Sequence, residues 1–192
     1  LVIKGGNSPG HGLLRRVMAK TSAKGISFRV LSAGKRIISR ILKAEGKVHG
    51  KSADHVHLHE IEDVDTVVDV YGTLLALESL GITRVLVSTL SLGGGEITAA
   101  HGRMPVPAPG TAELLRGQRV KFGPRRGELL TPTAAAIFAE LAETTDEPVM
   151  TVDGVGYGSG TRDLPGLPNL LRVFIGQVEA AGKMEWVRRL EA

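Results

Sequence analysis

The sequence has no cysteine, and this absence removes three kinds of site at once. A chain without thiols forms no disulfide, offers no thiolate nucleophile and supplies no sulfur ligand to a metal. Any metal that it binds must be held by histidine, by carboxylates or by a ligand that arrives from outside. The absence also fits a reducing compartment, so we expect a cytoplasmic protein.

Aromatic residues and long apolar runs are also scarce. Aromatic residues are 4% of the 192 residues, so a base-stacking surface is poorly supplied even though the net charge is +4. No apolar run approaches the ~18 residues of a membrane helix, and no signal-peptide pattern is present. We expect a globular chain with neither a membrane nor a nucleic acid as partner.

The most informative stretch is a run of histidines that ends in a carboxylate. In extended backbone His55, His57 and His59 leave from one side, and the apolar residues between them leave from the other. Glu60 follows directly. Imidazole nitrogens and carboxylate oxygens together suit a borderline divalent metal. The triplet predicts a metal site, although each histidine alone fits a structural role equally well.

A helix is predicted directly after the histidines, from Glu62 to Leu80, with Gly81 as its C-terminal stop. Its predicted buried stripe repeats every three or four residues and consists of Ile61, Val64, Val68, Tyr71 and Leu75. Asp65 and Asp69 lie one turn apart beside this stripe, where like charges repel unless a cation lies between them. The pair therefore predicts a positive partner, either a cation or a hydrogen-bond donor, although a favourable interaction with the helix dipole also explains Asp65 and explains Asp69 less well.

The remaining pattern mixes helices and strands without a regular repeat. Helices are predicted at 30–47 and 134–143 and, in the tail, at 177–192, and strands at 84–92, 119–122 and 169–175. We expect an α+β fold in one compact domain that is not a Rossmann fold. The core domain is predicted to span 29–176. Residues 1–28 are predicted to be a loop that is partly disordered or encoded by a vector.

Three further segments are rich in residues that bind anions. Three glycines, Gly93 to Gly95, end the predicted strand and suit either a phosphate cradle or a simple turn. Thr131 precedes Pro132, which predicts a helix start whose free N–H groups can also hold an anion. Residues 155–163 alternate glycines with hydrogen-bonding side chains. Capping and turn formation explain these segments as well as ligand binding does.

Six segments in fixed order connect this chain to a known family. They are His57-Leu-His59-Glu60, Asp65-Thr-Val-Val-Asp69, His101-Gly-Arg-Met-Pro105-Val-Pro-Ala-Pro109, Gly127-Glu128-Leu-Leu-Thr131-Pro132-Thr133, Gly156-Tyr157-Gly158-Ser-Gly160-Thr-Arg162-Asp163 and Pro168-Asn169-Leu-Leu-Arg172. This ordered set resembles the nickel insertion proteins of the lactate racemase maturation pathway, also called nickel-pincer nucleotide cyclometallases or nickel chelatases. The resemblance covers residues 29–176.

The resemblance implies a lyase that builds a cofactor. Such proteins insert Ni²⁺ into pyridinium-3,5-bisthiocarboxylic acid mononucleotide, forming two sulfur–nickel bonds and one carbon–nickel bond. CTP is hydrolysed alongside, with Mn²⁺ or Mg²⁺ assisting. Apo lactate racemase is the expected recipient of the product, and a homo-oligomer is compatible with this role.

The resemblance also implies roles for individual residues. We expect His57, His59, Asp65 and Asp69 to bind the metal, and Glu60 and His101 to act as catalytic bases. The residues expected to hold the substrate and its phosphate are Gly94, Gly95, Thr131, Thr133, Gly158, Gly160, Arg162 and Asp163.

Two other classes of protein stay open on the residues alone. A His/Asp metallohydrolase would use metal-bound water to attack a phosphoester or an amide. A non-catalytic module would only bind a metal or a nucleotide, or pair its histidines with Asp65 and Asp69 in a structural network. Turnover of a simple substrate without any sulfur compound would favour the hydrolase.

Overall fold

The computed structural model describes residues 17, 19, 24–52, 63–99, 102–146, 148–161, 166, 168–180 and 183–191. Its helices are α1 (Phe28–His49), α2 (Asp63–Ser79), α3 (Pro109–Leu114) and α4 (Pro132–Leu141). Its strands are β1 (Arg84–Val87), β2 (Leu90–Gly94), β3 (Glu96–Ala99), β4 (Gly102–Pro105), β5 (Val120–Glu128), β6 (Ala142–Thr144), β7 (Met150–Ser159), β8 (Leu170–Ala180) and β9 (Lys183–Glu191). The predicted α+β class is confirmed. No described helix is long and apolar enough to cross a membrane.

Helix α1 is capped at both ends by its own sequence. The Ser27 hydroxyl accepts the N–H of Val30 at 3.1 Å, which satisfies one of the free donors of the first turn. Gly50 ends the helix in the left-handed conformation, with φ 61°. The helix predicted at 30–47 is therefore confirmed, and it runs from Phe28 to His49.

Helices α1 and α2 run antiparallel across the core. Near the beginning of α1 the Ser27 hydroxyl donates to Glu78 at 2.5 Å, and further along Gly34 lies against the ring of Tyr71. The largest side chains that are fully buried come mainly from these two helices and from the neighbouring strands, and they include Ile37, Ile38, Ile41, Val67, Val70, Val87, Leu90 and Leu92. The order of contacts places the C-terminal part of α1 toward the beginning of α2.

The buried face of α2 differs from the predicted stripe. Val64 and Val68 are 38% and 51% exposed, whereas Val67, Val70 and Leu74 are buried. Tyr71 is buried as predicted. Apolar residues occur on every side of this helix, so their spacing did not determine which side faces the core.

The predicted strand at 84–92 is two strands in two sheets. β1 belongs to a five-stranded sheet with the order β6-β1-β9-β8-β7, whereas β2 pairs with β5. The break lies at Thr89, whose N–H and hydroxyl both donate to the Asp146 carboxylate, at 3.0 and 2.8 Å. The Asp146 carboxylate thus provides an acceptor for the backbone N–H of Thr89, at the point where the chain passes from one sheet to the other.

The helix predicted for the tail at 177–192 is wrong. β8 continues to Ala180, and β9 returns antiparallel to it from Lys183 to Glu191. Their ladder of main-chain pairs runs from Arg172 with Glu191 to Ala180 with Lys183. Pairing with a neighbouring strand overrides the local preference of the segment, and single-sequence periodicity does not register such a partner.

Candidate functional site

The first turns of α2 carry an acidic exposed face. Asp65 and Asp69 lie one turn apart on it, flanked by the exposed side chains of Val64 and Val68. Within the described residues neither carboxylate forms an ion pair with Lys or Arg. Two neighbouring carboxylates without a counter-charge form a surface that attracts a cation.

Asp69 has a perturbed acidity that follows from this arrangement. Partial burial raises the pKa of its carboxyl group above the usual value of 3.8, and repulsion from Asp65 raises it further. The ionised form of Asp69 is therefore disfavoured by its surroundings. A bound divalent cation would offset both causes and would return the pKa toward or below its ordinary value.

A second acid and an imidazole lie on the last turns of α1, which point toward the beginning of α2. His49 Nε2 is 3.4 Å from Glu45 Oε2. Glu45 in turn lies against Gly110 at the first turn of α3. Sequence reasoning missed this pair, although the spacing of four residues on a predicted helix was visible. The pair thus places one imidazole nitrogen and one carboxylate at the C-terminal end of α1, which lies toward the beginning of α2.

Several predicted site residues lie outside the described residues. They are His55, His57, His59, Glu60, His101, Arg162 and Asp163. Within the ranges that are described, no group of three or more His, Asp or Glu side chains is arranged to hold a metal. Of the four predicted metal ligands, the structure therefore describes only Asp65 and Asp69. Metal binding by these two residues and by the full ligand set stays a prediction.

The glycine segment after β2 is shaped by close backbone packing. Gly93 has φ 80°, and a Cβ atom there would overlap the carbonyl oxygen of Gly127. Leu129 donates its N–H to Leu92 at 3.2 Å, which holds the end of β5 against β2. Gly93 is thus required by the fold itself, whether or not a ligand binds nearby.

Four predicted phosphate-binding residues share one junction of the fold. Gly94 lies opposite Gly127 in the β2–β5 pairing, and the carbonyl of Gly95 accepts the N–H of Val106 at 3.0 Å. Thr131 and Thr133 begin α4 directly after β5. The structure therefore brings the glycines and the start of α4 to the same edge of the small β2–β5 sheet.

The start of α4 forms as predicted. The Thr131 hydroxyl accepts the N–H of Ala134 at 3.3 Å, its carbonyl accepts the N–H of Ala135 at 2.9 Å, and Pro132 fills the first helical position. The N-cap is confirmed. The Thr131 hydroxyl accepts in this cap, so its O–H can still donate to an anion, as can the N–H of Thr133 in the first turn.

The remaining two glycines of the prediction lie in β7 of a different sheet and just after that strand. Gly158 lies in β7, opposite Leu171 of β8, and a Cβ atom there would meet nothing within 4 Å. Gly160 donates its N–H to the carbonyl of Asn169 at 3.3 Å, and a Cβ atom there would overlap the Asn169 side chain. Gly160 therefore has a role in closing its own turn, whereas Gly158 is open on the surface.

Comparison with known proteins gives one consistent result. The family model for nickel insertion proteins matches residues 4–192, which extends beyond the predicted range of 29–176 at both ends. A relative from Geobacter metallireducens that is named for nickel insertion is 48% identical over 160 residues, 83% of this chain and 40% of the relative. Another, from Dictyoglomus thermophilum, is 43% identical over 169 residues, 88% of this chain and 44% of the relative.

The chain thus spans less than half the length of the relatives that it matches. No solved structure matches it.

Proposed function

The chain belongs to the nickel insertion protein family, and from this premise we propose that it takes part in inserting Ni²⁺ into pyridinium-3,5-bisthiocarboxylic acid mononucleotide. The observation that carries the proposal is the acidic face of α2, on which Asp65 and Asp69 lie together without a basic partner among the described residues. Nickel is the substrate of this reaction, so the protein has to hold the ion and then release it.

The composition of the chain supports a role in which it holds nickel and then releases it to the nucleotide. Two sulfur atoms of the nucleotide become nickel ligands in the product, and this chain contains no cysteine that would compete for the ion. Histidine and carboxylate bind Ni²⁺ less tightly than paired thiolates do, which suits a donor that must give the metal away. We propose His57, His59, Asp65 and Asp69 as the ligands that present nickel to the nucleotide.

The third nickel bond requires a base. When nickel bonds to the pyridinium carbon, that carbon loses a proton, and the electron pair of the C–H bond becomes the carbon–nickel bond. We propose Glu60 and His101 as the groups that accept this proton, because carboxylate and neutral imidazole are both available as bases near pH 7. The two sulfurs bind nickel as thiocarboxylates and need no further base.

The phosphate of the nucleotide requires hydrogen-bond donors. We propose that it binds at the β2–β5 junction, through the backbone of Gly94 and Gly95 and the start of α4 at Thr131 and Thr133. Further candidates are Gly158 in β7, Gly160 just after it, and Arg162 and Asp163, which lie outside the described residues. A guanidinium such as Arg162 forms paired, charge-assisted hydrogen bonds with a phosphate.

The activity of the whole protein is part of the proposal because the chain spans less than half of its relatives. We propose a lyase of the chelatase type that hydrolyses CTP with Mn²⁺ or Mg²⁺ and passes its product to apo lactate racemase in the cytoplasm.

A direct test combines the purified chain anaerobically with NiCl₂, the dithiolated pyridinium nucleotide, CTP and MnCl₂. Mass spectrometry should then detect a nucleotide that has gained nickel and lost the protons displaced by it. The variants His57→Ala and His59→Ala should lose this product, whereas Lys24→Ala, which precedes the beginning of α1, should keep it. A folded wild-type chain that binds nickel and nucleotide without forming product would limit its role to delivery. Failure to bind nickel at all would contradict the proposal.

A further inference from the structure

A cavity of about 170 Å³ lies where the beginning of α1, the end of α2 and β1 meet. An apolar cavity of roughly 150 Å³ holds a molecule of the size of benzene, so this one has room for an apolar group of up to about six carbon atoms. Most of its lining is apolar and includes Val30, Leu74, Leu77, Ile82, Val85 and Leu141.

Three charged residues, Arg29, Arg36 and Glu78, also line the cavity, and all three are exposed. Arg36 is already paired, because its Nε lies 2.5 Å from Glu140 Oε1. Within the part of the chain that the structure describes, Arg29 forms no ion pair, and the Glu78 carboxylate has only the hydrogen bond that it accepts from Ser27. One guanidinium and one carboxylate oxygen are therefore available to a ligand in the cavity.

We propose that this cavity binds a free α-amino acid that has an apolar side chain. The carboxylate of the ligand accepts hydrogen bonds from the guanidinium of Arg29. Its ammonium group donates to Oε2 of Glu78, the oxygen that Ser27 does not use. Its side chain enters the cavity and leaves water, which stabilises the complex in proportion to the apolar area that is buried. Each of the three parts of such a ligand thus contacts a complementary part of the site.

The two available charges favour a zwitterion over other small molecules. An apolar carboxylate would bind Arg29 but would be repelled by Glu78, and an apolar amine would be attracted by Glu78 but repelled by Arg29. A neutral apolar molecule would use neither charge. Only a ligand that carries both charges next to an apolar group pairs with both residues and fills the cavity.

The cavity lies apart from the candidate nickel site. Glu78 follows Asp69 by nine residues on α2, which is about 14 Å along the helix axis at roughly 1.5 Å per residue. The contact between Ser27 and Glu78 also places the cavity at the beginning of α1, whereas Glu45 and His49 lie at its end. The site is therefore a second one, and this proposal does not rest on nickel insertion.

Isothermal titration of the chain with L-leucine tests the ligand class. The wild type should bind leucine saturably, with one molecule per chain. Three probes each lack one part of leucine: glycine lacks the apolar side chain, isocaproate lacks the ammonium group and isopentylamine lacks the carboxylate. Each probe should bind at least fivefold more weakly than leucine. Isocaproate or isopentylamine that bound as tightly as leucine would overturn the assignment of an amino acid.

Two variants test the location of the site. Arg29→Gln and Glu78→Gln each remove one charge from an exposed position and should each weaken leucine binding at least fivefold. Lys43→Gln is the matched control, because Lys43 is an exposed cation on α1 that does not line the cavity, and it should bind leucine like the wild type. A wild type that does not bind leucine, or folded Arg29→Gln and Glu78→Gln variants that bind it normally, would overturn the proposal.

Discussion

Two glycine-rich segments of this protein look alike in the sequence and differ in the structure. At Gly93, φ is 80° and the backbone of Gly127 occupies the space that a side chain would need. At Gly154, Gly156 and Gly158, φ is not positive and a Cβ atom would meet nothing within 4 Å. The first segment is glycine because the fold leaves no alternative, whereas the fold of one chain places no such demand on the second.

The difference shows which glycines are informative about a binding site. A glycine that its own fold requires gives no information about a ligand, because it would be needed in any case. A glycine that the fold does not require leaves room for a contact with another molecule. By this criterion Gly158 is a stronger candidate for a contact with another molecule than Gly93.

The largest expected effect is at Gly93. Gly93→Ala places a side chain at positive φ, which costs ~1–3 kcal/mol, and it also forces Cβ against the immobile carbonyl of Gly127. We expect a total loss of about 3 kcal/mol or more in the free energy of unfolding, measured by urea denaturation. The matched control Gly158→Ala should change it by less than about 0.5 kcal/mol. Equal losses in both variants would remove the distinction between the segments.

The next effect concerns helix packing. In Gly34→Ala the new methyl group would overlap the buried ring of Tyr71, and overpacking of this kind costs about 1–3 kcal/mol. Gly72→Ala is the control on the facing helix, where a Cβ atom meets nothing within 4 Å. It should gain up to about 1 kcal/mol from helix propensity. Thermal and urea unfolding both measure the difference, and a neutral Gly34→Ala would show that α1 and α2 are less closely packed.

A smaller effect is expected at the start of α4. Thr131→Ala removes the hydroxyl that accepts the N–H of Ala134, and such a loss costs about 1 kcal/mol. Thr131→Ser keeps the hydroxyl and should stay within a few tenths of a kcal/mol of the wild type. If both variants lost the same stability, the methyl group of Thr131 rather than its capping bond would be responsible.

The smallest effect on stability is at Asp69, and it depends on pH. Because the pKa of Asp69 is raised in the folded protein, its ionised form costs stability at every pH above that value. The cost disappears when the pH falls below 3.8, where the group is protonated in both states. Asp69→Asn should therefore stabilise the chain at pH 7 by a few tenths of a kcal/mol, since the group is largely exposed. The gain should vanish near pH 3, and a gain that persisted there would contradict this origin.

Local signals in the sequence indicate the ends of α1 and α2 and the beginning of α4. Ser27, Gly50, Gly81 and Thr131 mark helix ends by side-chain capping or positive φ, and both kinds of signal act within a few residues. The six ordered segments likewise indicated the family from residue identities alone, and the family match confirmed it.

Long-range pairing was not predictable in the same way. The split at Thr89 depends on Asp146, which is 57 residues away, and the strand character of the tail depends on β8. The rotation of α2 was also undetermined, because apolar residues surround it and only its neighbours decide which side is buried. For the candidate site, the sequence indicated Asp65 and Asp69 but did not indicate that the pair formed by Glu45 and His49 would lie at the same end of the helices.

Nickel binding by the chain tests the central claim most directly. Isothermal titration with NiCl₂ at pH 7 should show binding by the wild type and a loss of at least about tenfold, or 1.4 kcal/mol, in Asp65→Asn/Asp69→Asn. Asp153→Asn removes an exposed acid on β7 and should leave the affinity unchanged. The same affinity in the double variant and the wild type, or no nickel binding by the wild type, would contradict the account.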